Sequence, residues 1–552
     1  MKAFSLLINK QVSCMLTIML WCVPFSLHGQ SPVYSYFYRV YLRDKGNIVS
    51  GTYSAMDLLS ARAISRRQKM GTQTPDYNDY PVNSDYLNKI SQTGLKLHSA
   101  SKWMNTALFK SLTAFNTKIL LDLPFVSDVK VVKTPGNKSR YIDKLNLQII
   151  RTDLAPYDRP ISMINGYSIH NSGFNGKNIL IAILDGGFLY SDQISSLNNL
   201  RVRHGIKGTH DFVKNTESVY NASVHGTEVL SVLAGDLAGE IDGTAQGADY
   251  LLVKTEDVES EFPCEEDFWA AGAEYADSLG ADIISSSLGY FNFDDPSLNY
   301  KISDLDGKTA FVTRAANIAA SKGILVVNSA GNERTSVWKR IIFPADGDNV
   351  LAVGAVDGNN LIADFSSAGP SADGRIKPDN VTMGVSVPVQ ISGSTVVRSS
   401  GTSFSCPVLS GMAACLMQAV PGASNKDIIK VLHTCADRYN FPDSLYGYGI
   451  PDIVLALTEL QNQYVKNPDD GFLIYPNPTK GDFEIILSQA PENFTVEIFT
   501  MTGKLIYRKN YSDYAGRDII ITDFQKRDQG IYFIKVVNAD GVRVRKLIKL
   551  KN

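Results

Sequence analysis

The sequence has few cysteines, no excess of charge of either sign, and no long apolar run beyond its first 30 residues. Only six of its 552 residues are cysteine, and none stands in a CxxC or CxxH spacing, so nothing indicates a zinc site. The 54 basic and 56 acidic residues leave a formal net charge of −2. This balance gives no electrostatic indication of nucleic acid or of an anionic membrane as a partner.

Residues 1–30 have the pattern of a secretory signal peptide. Lys2 and Lys10 precede an apolar stretch at 14–25, and Gly29 follows near the expected cleavage site. A membrane anchor is the alternative, but the stretch is shorter than the roughly 20 apolar residues that a spanning helix needs. The sequence therefore predicts a chain that is exported from the cytoplasm.

Four cysteines follow this leader, and their redox state bears on the fold. They are Cys264, Cys406, Cys415 and Cys435. Four cysteines in an oxidising compartment allow three pairings, and the sequence does not choose among them.

Three patterns succeed one another after the leader and predict three folded units. Residues 31–140 mix strand-like alternation with a basic helical stretch, which fits a small α+β unit ending in a polar linker. Residues 147–463 alternate short apolar strands with helical segments, which indicates an α/β domain whose parallel sheet is flanked by helices. Residues 469–552 contain short alternating strands between turns, which predicts a β-sandwich.

Two motifs in the α/β domain carry candidate catalytic side chains. An apolar strand ends in Asp185 and two glycines, and ligands in open α/β sheets bind just past the carboxyl ends of strands. The alternative for this stretch is an aspartate that only caps the next turn. In HGTEVLSVLAG, His225 opens an amphipathic helix, and imidazole suits general-base chemistry. A single histidine is nevertheless more often an ordinary polar residue.

Two further motifs offer a nucleophile and an oxyanion donor. In SSGTSFSCP, Ser403 stands at a helix start, where it is either an N-cap or a nucleophile at the positive end of the helix dipole. In VVNSAGNER, Asn332 follows a buried strand and either donates its side-chain NH₂ to an oxyanion or is a plain turn residue. Cys406 is another conceivable nucleophile, but it lies on the wrong side of the helix start to share the oxyanion hole.

Taken together, the four motifs follow the order Asp, His, Ser, with Asn between the last two, which is the order of the subtilisins. DGG, HGTEVLSVLAG, SAGN and GTSFSCP resemble the motifs of the subtilisin-like serine proteases, or subtilases. The match extends to FSSAGPSADGRIKPD at 365–379. Two positions depart from the family pattern, because Gly186 replaces a usual Ser or Thr and Phe404-Ser405 replaces a usual Met-Ala.

The resemblance implies a secreted serine endopeptidase that hydrolyses peptide bonds in proteins through an acyl-enzyme. Ser403 would be the nucleophile, His225 the general base and Asp185 the group that orients the imidazole, while Asn332 holds the oxyanion. It also implies these substrate-binding residues: Ser287, Leu288, Gly289, Ala330 and Gly331. Catalysis would need no cofactor and no metal. Structural calcium occurs in the family, but the sequence contains no compact ligand loop that would identify such a site.

The resemblance also gives roles to the two ends of the chain. Residues 31–140 would be an inhibitory propeptide, released near 135–140. The segments YPNPTKGDF, TGKLIY, GIYFIKV and KLIKLKN resemble the sorting domain of Bacteroidetes type IX secretion cargo. We therefore expect protein or peptide substrates, the chain's own propeptide and the outer-membrane secretion machinery as partners, no nucleic acid, a monomer, and a location outside the cell or on the outer-membrane surface. A generic accessory or carbohydrate-binding sandwich is the alternative for the C-terminal unit.

Two rival classes of protein remain for the central unit. An α/β-hydrolase would use Asp427 and His433 after Ser403, but that fold has a GxSxG motif where this sequence has GxSxS. A binding protein on a degenerate protease scaffold would not react with a fluorophosphonate probe. The physiological substrate, the subsite preferences and the maturation cuts do not follow from the sequence.

Overall fold

The computed structural model describes residues 36–47, 52–135, 156–464, 471–488, 493–514, 516–539 and 541–550. The predicted signal peptide lies outside the described residues, and so do residues 136–140 of the predicted propeptide release site. Among the described residues, no helix is both long and apolar enough to cross a lipid bilayer.

The N-terminal unit is an antiparallel sheet with helices packed against it. Its elements are β1 (Tyr36–Leu42), α1 (Ala55–Leu58), α2 (Ala61–Lys69), α3 (Ser84–Ser91), β2 (Lys96–Ser101), β3 (Thr106–Ser111), α4 (Lys118–Leu121) and β4 (Val126–Lys133). The four strands stand in the order β2-β3-β1-β4, and every neighbouring pair is antiparallel. Val40, Phe109 and Val126 lie in its core. The predicted α+β fold of this unit is confirmed.

The central unit is a parallel sheet with helices on both faces. Its elements are α5 (Arg159–Ser162), α6 (Gly166–Asn171), β5 (Leu180–Asp185), α7 (Asn198–Val202), β6 (Ile206–Asp211), α8 (His225–Ala234), β7 (Asp236–Leu237), β8 (Ile241–Asp242), β9 (Asp249–Lys254), α9 (Cys264–Leu279), β10 (Ile283–Ser286), α10 (Phe311–Ser321), β11 (Leu325–Ser329), β12 (Val350–Val356), β13 (Asn380–Met383), β14 (Val387–Ser392), β15 (Thr395–Ser399), α11 (Thr402–Ala419), α12 (Asn425–Thr434) and α13 (Ile453–Tyr464). Seven strands stand in the order β13-β12-β11-β10-β5-β9-β6. Helices α8 and α11 pack in the core on one face, and α9 and α10 pack in the core on the other.

The C-terminal unit consists of two antiparallel sheets around one apolar core. Its strands are β16 (Phe472–Tyr475), β17 (Phe483–Leu487), β18 (Asn493–Thr500), β19 (Leu505–Ser512), β20 (Asp518–Ile521), β21 (Gly530–Asn538) and β22 (Gly541–Lys549). The sheets have the orders β16-β17-β20 and β19-β18-β21-β22. Ile485 from the first sheet and Val496 and Ile534 from the second lie in the shared core, as the predicted β-sandwich requires.

One local expectation was wrong. The helix that begins at His225 was predicted to be amphipathic, but every residue of α8 is buried. The helix lies between the sheet and other segments of the central unit, so it has no solvent face on which a polar stripe would be needed.

The N-terminal unit is held against the central unit by a buried arginine. The Nε and Nη2 atoms of Arg39 donate to Asp267 Oδ2 at 2.8 and 2.7 Å, and Nη2 also donates to the Pro263 carbonyl at 2.7 Å. The guanidinium carbon lies 3.7 Å from the centre of the Phe311 ring. Arg39 and Asp267 are both buried. Because each charge has given up its water, each depends on the other for compensation.

In further ion pairs across this interface, the N-terminal unit again carries the positive charge. The cation belongs to the N-terminal unit and the carboxylate to the central unit in Arg62–Asp282, Arg66–Asp277, Arg67–Asp277 and Lys133–Asp257. Lys322, which pairs with Asp76 and Asp79, has the reverse polarity. The face of the central unit that the N-terminal unit covers is therefore rich in carboxylates.

We predict that Arg39→Ala exposes Cys264, a thiol that the docked N-terminal unit covers. Cys264 is 1% exposed and packs with Phe37 and Leu108. Removing one partner of a buried ion pair costs roughly 3–5 kcal/mol, so alkylation of Cys264 through undocking should become about 10²-fold faster or more. Mass spectrometry of the intact chain carrying Ser403→Ala, which prevents self-cleavage, measures the rate.

The matched control for this experiment is Arg43→Ala. Arg43 also lies in the N-terminal unit, but it is exposed, and its side chain donates to the Pro124 carbonyl of the same unit. Its loss should leave the labelling of Cys264 unchanged. Cys415, buried in α11, serves as the internal reference for global unfolding. Equal rates at Cys264 in Arg39→Ala and in the parent chain would contradict the prediction.

A histidine is buried in the same interface. His98 Nε2 lies 2.9 Å from the Phe212 carbonyl, and the ring contacts Phe37 and Phe268. Burial lowers the pKa of His98 to about 4. Lys110, with Nζ 3.4 Å from Nδ1, adds to this effect, as does Lys133, whereas Asp211 opposes it.

We predict that acidification weakens docking through His98. The pKa of His98 is lower in the docked unit than the usual value of about 6.5. The contribution of neutral His98 to the stability of docking is therefore fully present above pH 6.5, and it is lost as the pH falls toward 4. The reaction of Cys264 with a pyridyl disulfide, relative to Cys415, should therefore rise on acidification by up to about tenfold per pH unit. His98→Gln keeps a neutral donor and should flatten this dependence. Identical pH profiles in the two chains would rule the idea out.

Candidate active site

Three neighbouring strands of the central sheet end at one edge. β11, β10 and β5 stand side by side and are parallel. β5 ends at Asp185, β10 leads into 287–289, and β11 leads into 330–332. Helix α8 begins there with His225, and α11 begins there with Thr402. All the predicted site residues therefore lie along this carboxyl edge, where open α/β sheets bind ligands.

Asp185 and His225 form a buried hydrogen-bonded pair. The Nδ1 atom of His225 lies 2.8 Å from Oδ1 and 3.0 Å from Oδ2 of Asp185. The imidazole is 2% exposed and the carboxylate 0%. Because a carboxylate accepts hydrogen bonds, this contact assigns a proton to Nδ1, and the neutral ring then has its lone pair on Nε2. The turn-capping alternative for Asp185 is insufficient, since its carboxylate also binds the imidazole through both oxygens.

Two glycines allow the turn after Asp185 to approach the start of α8 closely. The N–H of Gly226 donates to the Gly187 carbonyl at 3.1 Å. A Cβ on Gly226 would lie 2.4 Å from that oxygen, and a Cβ on Gly187 would lie 2.2 Å from the Asn221 carbonyl. Side chains at either position would therefore push the histidine away from the aspartate.

Ser403 lies in the first turn of α11, and Gly401 occupies the N-cap position. Ser403 is therefore not the capping residue, and the N-cap alternative for it is wrong. The serine is 9% exposed, and its carbonyl accepts a hydrogen bond from Ser287 Oγ at 2.9 Å. The neighbouring Phe404 ring lies 6.1 Å from the His225 ring. The start of α11 is thus fixed beside the Asp–His pair.

The side chain of Asn332 has a fixed orientation. Its Oδ1 accepts hydrogen bonds from the N–H and the hydroxyl of Thr402, at 2.9 and 3.0 Å. The hydroxyl oxygen in turn accepts from the N–H of Gly331 at 3.1 Å. Because both donors select Oδ1, the NH₂ group faces the other way, 3.4 Å from where a Cβ on Gly401 would lie. A donor is thus directed toward the turn that precedes Ser403.

The two departures from the family pattern have structural explanations. Gly186 has no hydroxyl, but its N–H donates to Asp185 Oδ1 at 2.7 Å. Phe404 is fully buried and packs against the His225 ring. Ser405 is also buried, and its hydroxyl donates to the Thr402 carbonyl at 3.0 Å. Each substitution is accommodated without displacing a reacting group.

The four cysteines of the described chain are free thiols. Cys406 is buried in the core, with Sγ 3.6 Å from the Ser286 and Val327 carbonyls. Burial raises the pKa of Cys406 to about 12. Because the thiolate is the reactive form of cysteine, this residue is unsuited to be the nucleophile.

The α/β-hydrolase alternative is not supported by the geometry. His433 lies 3.3 Å from Asp379, whose other oxygen binds Lys377. Asp427 accepts from the N–H and the hydroxyl of Ser424 at the start of α12. Both side chains serve the fold away from Ser403.

Three glutamates in the described chain lie close together. Ligand oxygens of Glu256, Glu261 and Glu265 lie within 4.8 Å of one another. Calcium takes about six to eight oxygen ligands, whereas this group offers three. Glu265 already accepts from the N–H groups of Asp257 and Phe262, and Glu256 accepts from Tyr290. These residues do not fit a calcium site.

The sequence reasoning missed two residues at the edge. Thr402 orients Asn332, and Ile342 packs against Gly289 and Gly331. Thr402 stands inside the GTSFSCP motif, directly before Ser403, so its hydroxyl was a visible signal. Ile342 lies ten positions beyond Asn332, outside every motif, and nothing in the sequence marked it.

A serine beside a buried Asp–His pair, at the carboxyl edge of a parallel sheet, is the arrangement of a serine hydrolase. The model of the subtilase family matches residues 176–449. Subtilisin E of Bacillus subtilis (strain 168) is 30% identical over 371 residues, which cover 66% of this chain and 84% of that protein. Subtilisin BL of Lederbergia lenta is 32% identical over 292 residues, which cover 52% and 94% respectively. The chain belongs to the subtilase family and is a serine-type endopeptidase.

The other two units also match family models. A peptidase S8 propeptide domain of Bacteroidota matches residues 37–145, and a secretion system C-terminal sorting domain matches residues 473–550. The chain is therefore made as a zymogen and exported through the type IX system to the extracellular space or the outer-membrane surface. The domain bounds given above, at 31–140, 147–463 and 469–552, stay predictions.

Proposed function

We propose that this protein cleaves proteins through a triad of Asp185, His225 and Ser403, with Asn332 as the oxyanion donor. The observation that carries the proposal is the buried contact of 2.8 Å between His225 Nδ1 and Asp185 Oδ1, beside the helix turn that bears Ser403. We further propose that 287–289 and 330–331 bind the extended substrate, the first segment by strand addition.

The reaction proceeds through an acyl-enzyme. Ser403 Oγ attacks the scissile carbonyl carbon while its proton passes to Nε2 of His225. Asp185 stabilises the resulting imidazolium. The C–N bond then breaks, and the amine leaves with the proton from His225. Water attacks the ester by the reverse path, giving up a proton to His225, which returns it to Ser403.

The oxyanion is stabilised by two donors in this mechanism. One is the NH₂ group of Asn332, and the other is the backbone N–H of Ser403 at the positive end of α11. The hydrogen bonds from Thr402 to Oδ1 hold the amide in place before substrate arrives. The donor therefore needs no reorganisation when charge develops on the carbonyl oxygen.

We predict that a fluorophosphonate probe labels the processed protein and does not label Ser403→Ala. Peptide cleavage by the variant should fall at least about 10⁴-fold, because loss of the nucleophile removes the covalent route. Ser405→Ala, which restores the residue usual in the family, is the matched control and should still be labelled. Absence of labelling in the parent would favour a binding protein on a degenerate scaffold, and labelling of Ser403→Ala would point to another nucleophile.

We predict that Asn332→Ala lowers kcat by about 10²–10³, a range measured in a subtilisin for loss of such a donor. Thr402→Val should lower kcat by only about three- to tenfold. It removes the hydroxyl that donates to Asn332 and accepts from Gly331, but the Thr402 N–H still holds Asn332 Oδ1. Thr402→Ser should restore the rate. If Thr402 acts through Asn332, the double variant should be no slower than Asn332→Ala alone. Active-site titration with the probe separates these effects from misfolding, and additive losses would contradict the orienting role.

A further inference from the structure

One side chain lies between the two segments that extend from β10 and β11. Ile342 Cδ1 lies 2.0 Å from where a Cβ on Gly289 would be and 3.0 Å from where a Cβ on Gly331 would be. The isoleucine therefore packs directly against the backbone of both segments, 287–289 and 330–331. We call the space between these two segments the crevice and the segments its walls. Ile342 is 8% exposed, so most of its surface is in contact with protein.

The backbone of Ile342 is anchored to both walls. Its N–H donates to the Ala330 carbonyl at 3.1 Å. The next residue, Phe343, exchanges hydrogen bonds with Tyr290, at 3.0 and 3.3 Å. At the base of the crevice, Asn328 Nδ2 donates to the Leu288 carbonyl at 3.0 Å. These bonds fix the backbone at 342–343 relative to the two segments, so the isoleucine cannot withdraw by a shift of its backbone.

A substrate bound as proposed places one side chain in this crevice. If its backbone pairs with 287–289 and its scissile carbonyl faces Asn332, then the residue that supplies that carbonyl must lie between 287–289 and 330–331. Side chains of an extended chain alternate in direction, so the side chain of this residue projects into the crevice while its neighbours do not. The volume available beyond Gly289 and Gly331 then decides which side chains are accepted.

We propose that Ile342 forms the floor of this pocket and restricts cleavage to bonds that follow small side chains, such as alanine. The inference rests on the proposed function. A large side chain would have to displace an isoleucine held between two backbone segments, and overpacking a filled site is unfavourable. The restriction is steric, so it does not require the Glu333 carboxylate, which stands beside Asn332 in the sequence.

The test uses tetrapeptide anilides that differ only in the residue before the scissile bond, which is alanine, valine, leucine or phenylalanine. The processed enzyme should show kcat/KM for alanine about tenfold or more above that for phenylalanine, within the range that pocket size gives. Ile342→Gly should raise the phenylalanine-to-alanine ratio of kcat/KM at least tenfold, with Ile342→Ala in between. In Ile342→Gly, the rise in this ratio should come from a higher kcat/KM for the substrates with large side chains.

Val337→Ala is the matched control, because Val337 lies in the same loop and is 99% exposed. Its ratio should equal that of the parent. Probe titration counts active sites in each preparation, and Ile342→Val gives a graded readout if Ile342→Gly fails to fold. Failure of the parent to react with the probe or with any anilide would sink the proposed function. Two results would overturn only the proposed role of Ile342. One is a labelled parent enzyme that prefers phenylalanine. The other is a phenylalanine-to-alanine ratio of kcat/KM that stays the same in Ile342→Gly and Ile342→Val.

Discussion

The site depends on the docking of helix α11 along the central sheet. Every residue from Thr402 to Met417 is buried. Ser410 Oγ donates to Ser285 Oγ on β10 at 3.0 Å, and a Cβ on Gly411 would lie 2.0 Å from Thr244 Oγ1. Such close packing fixes the helix along its length, and it thereby fixes the first turn that carries Ser403. If Ser403 is the nucleophile, as proposed, its position on a buried helix means that it needs little ordering when substrate binds.

The contact between the N-terminal unit and the central unit depends on buried charges. The N-terminal unit covers the carboxylates near the start and end of α9, including Asp267 and Asp277, which lie buried against arginines in the zymogen. Each charge in such a buried pair is compensated mainly by its partner, because a single buried charge without a partner is strongly unfavourable. Removal of the N-terminal unit would take away these arginines and expose the carboxylates to water, which can solvate them in turn. Burial of the pairs therefore favours docking of this particular unit, while its loss leaves carboxylates that water can stabilise.

The sequence was sufficient for features that local chemistry determines. Asp185, His225, Asn332 and Ser403 could be proposed as site residues because each stands in a motif. The alternating apolar runs predicted the parallel sheet, and this fold is confirmed. The sequence could not distinguish an N-cap from a first-turn position for Ser403, because that difference is one residue of backbone geometry. Nor could it reveal Ile342, whose contacts with two glycines arise only when segments distant in sequence fold together.

The loop from Asn332 to Ile342 connects the proposed oxyanion donor to the proposed floor of the substrate pocket. In the proposed mechanism Asn332 acts through an amide whose orientation depends on Thr402, whereas the proposed role of Ile342 depends on its volume. The two ends of the loop share an anchor, since Ile342 bonds to Ala330, two residues before the asparagine. Residues larger than glycine at 289 would collide with the isoleucine, so floor and wall constrain each other. In this chain, a larger residue at 289 therefore requires a smaller residue at 342, so the proposed floor and its facing glycines can change only together.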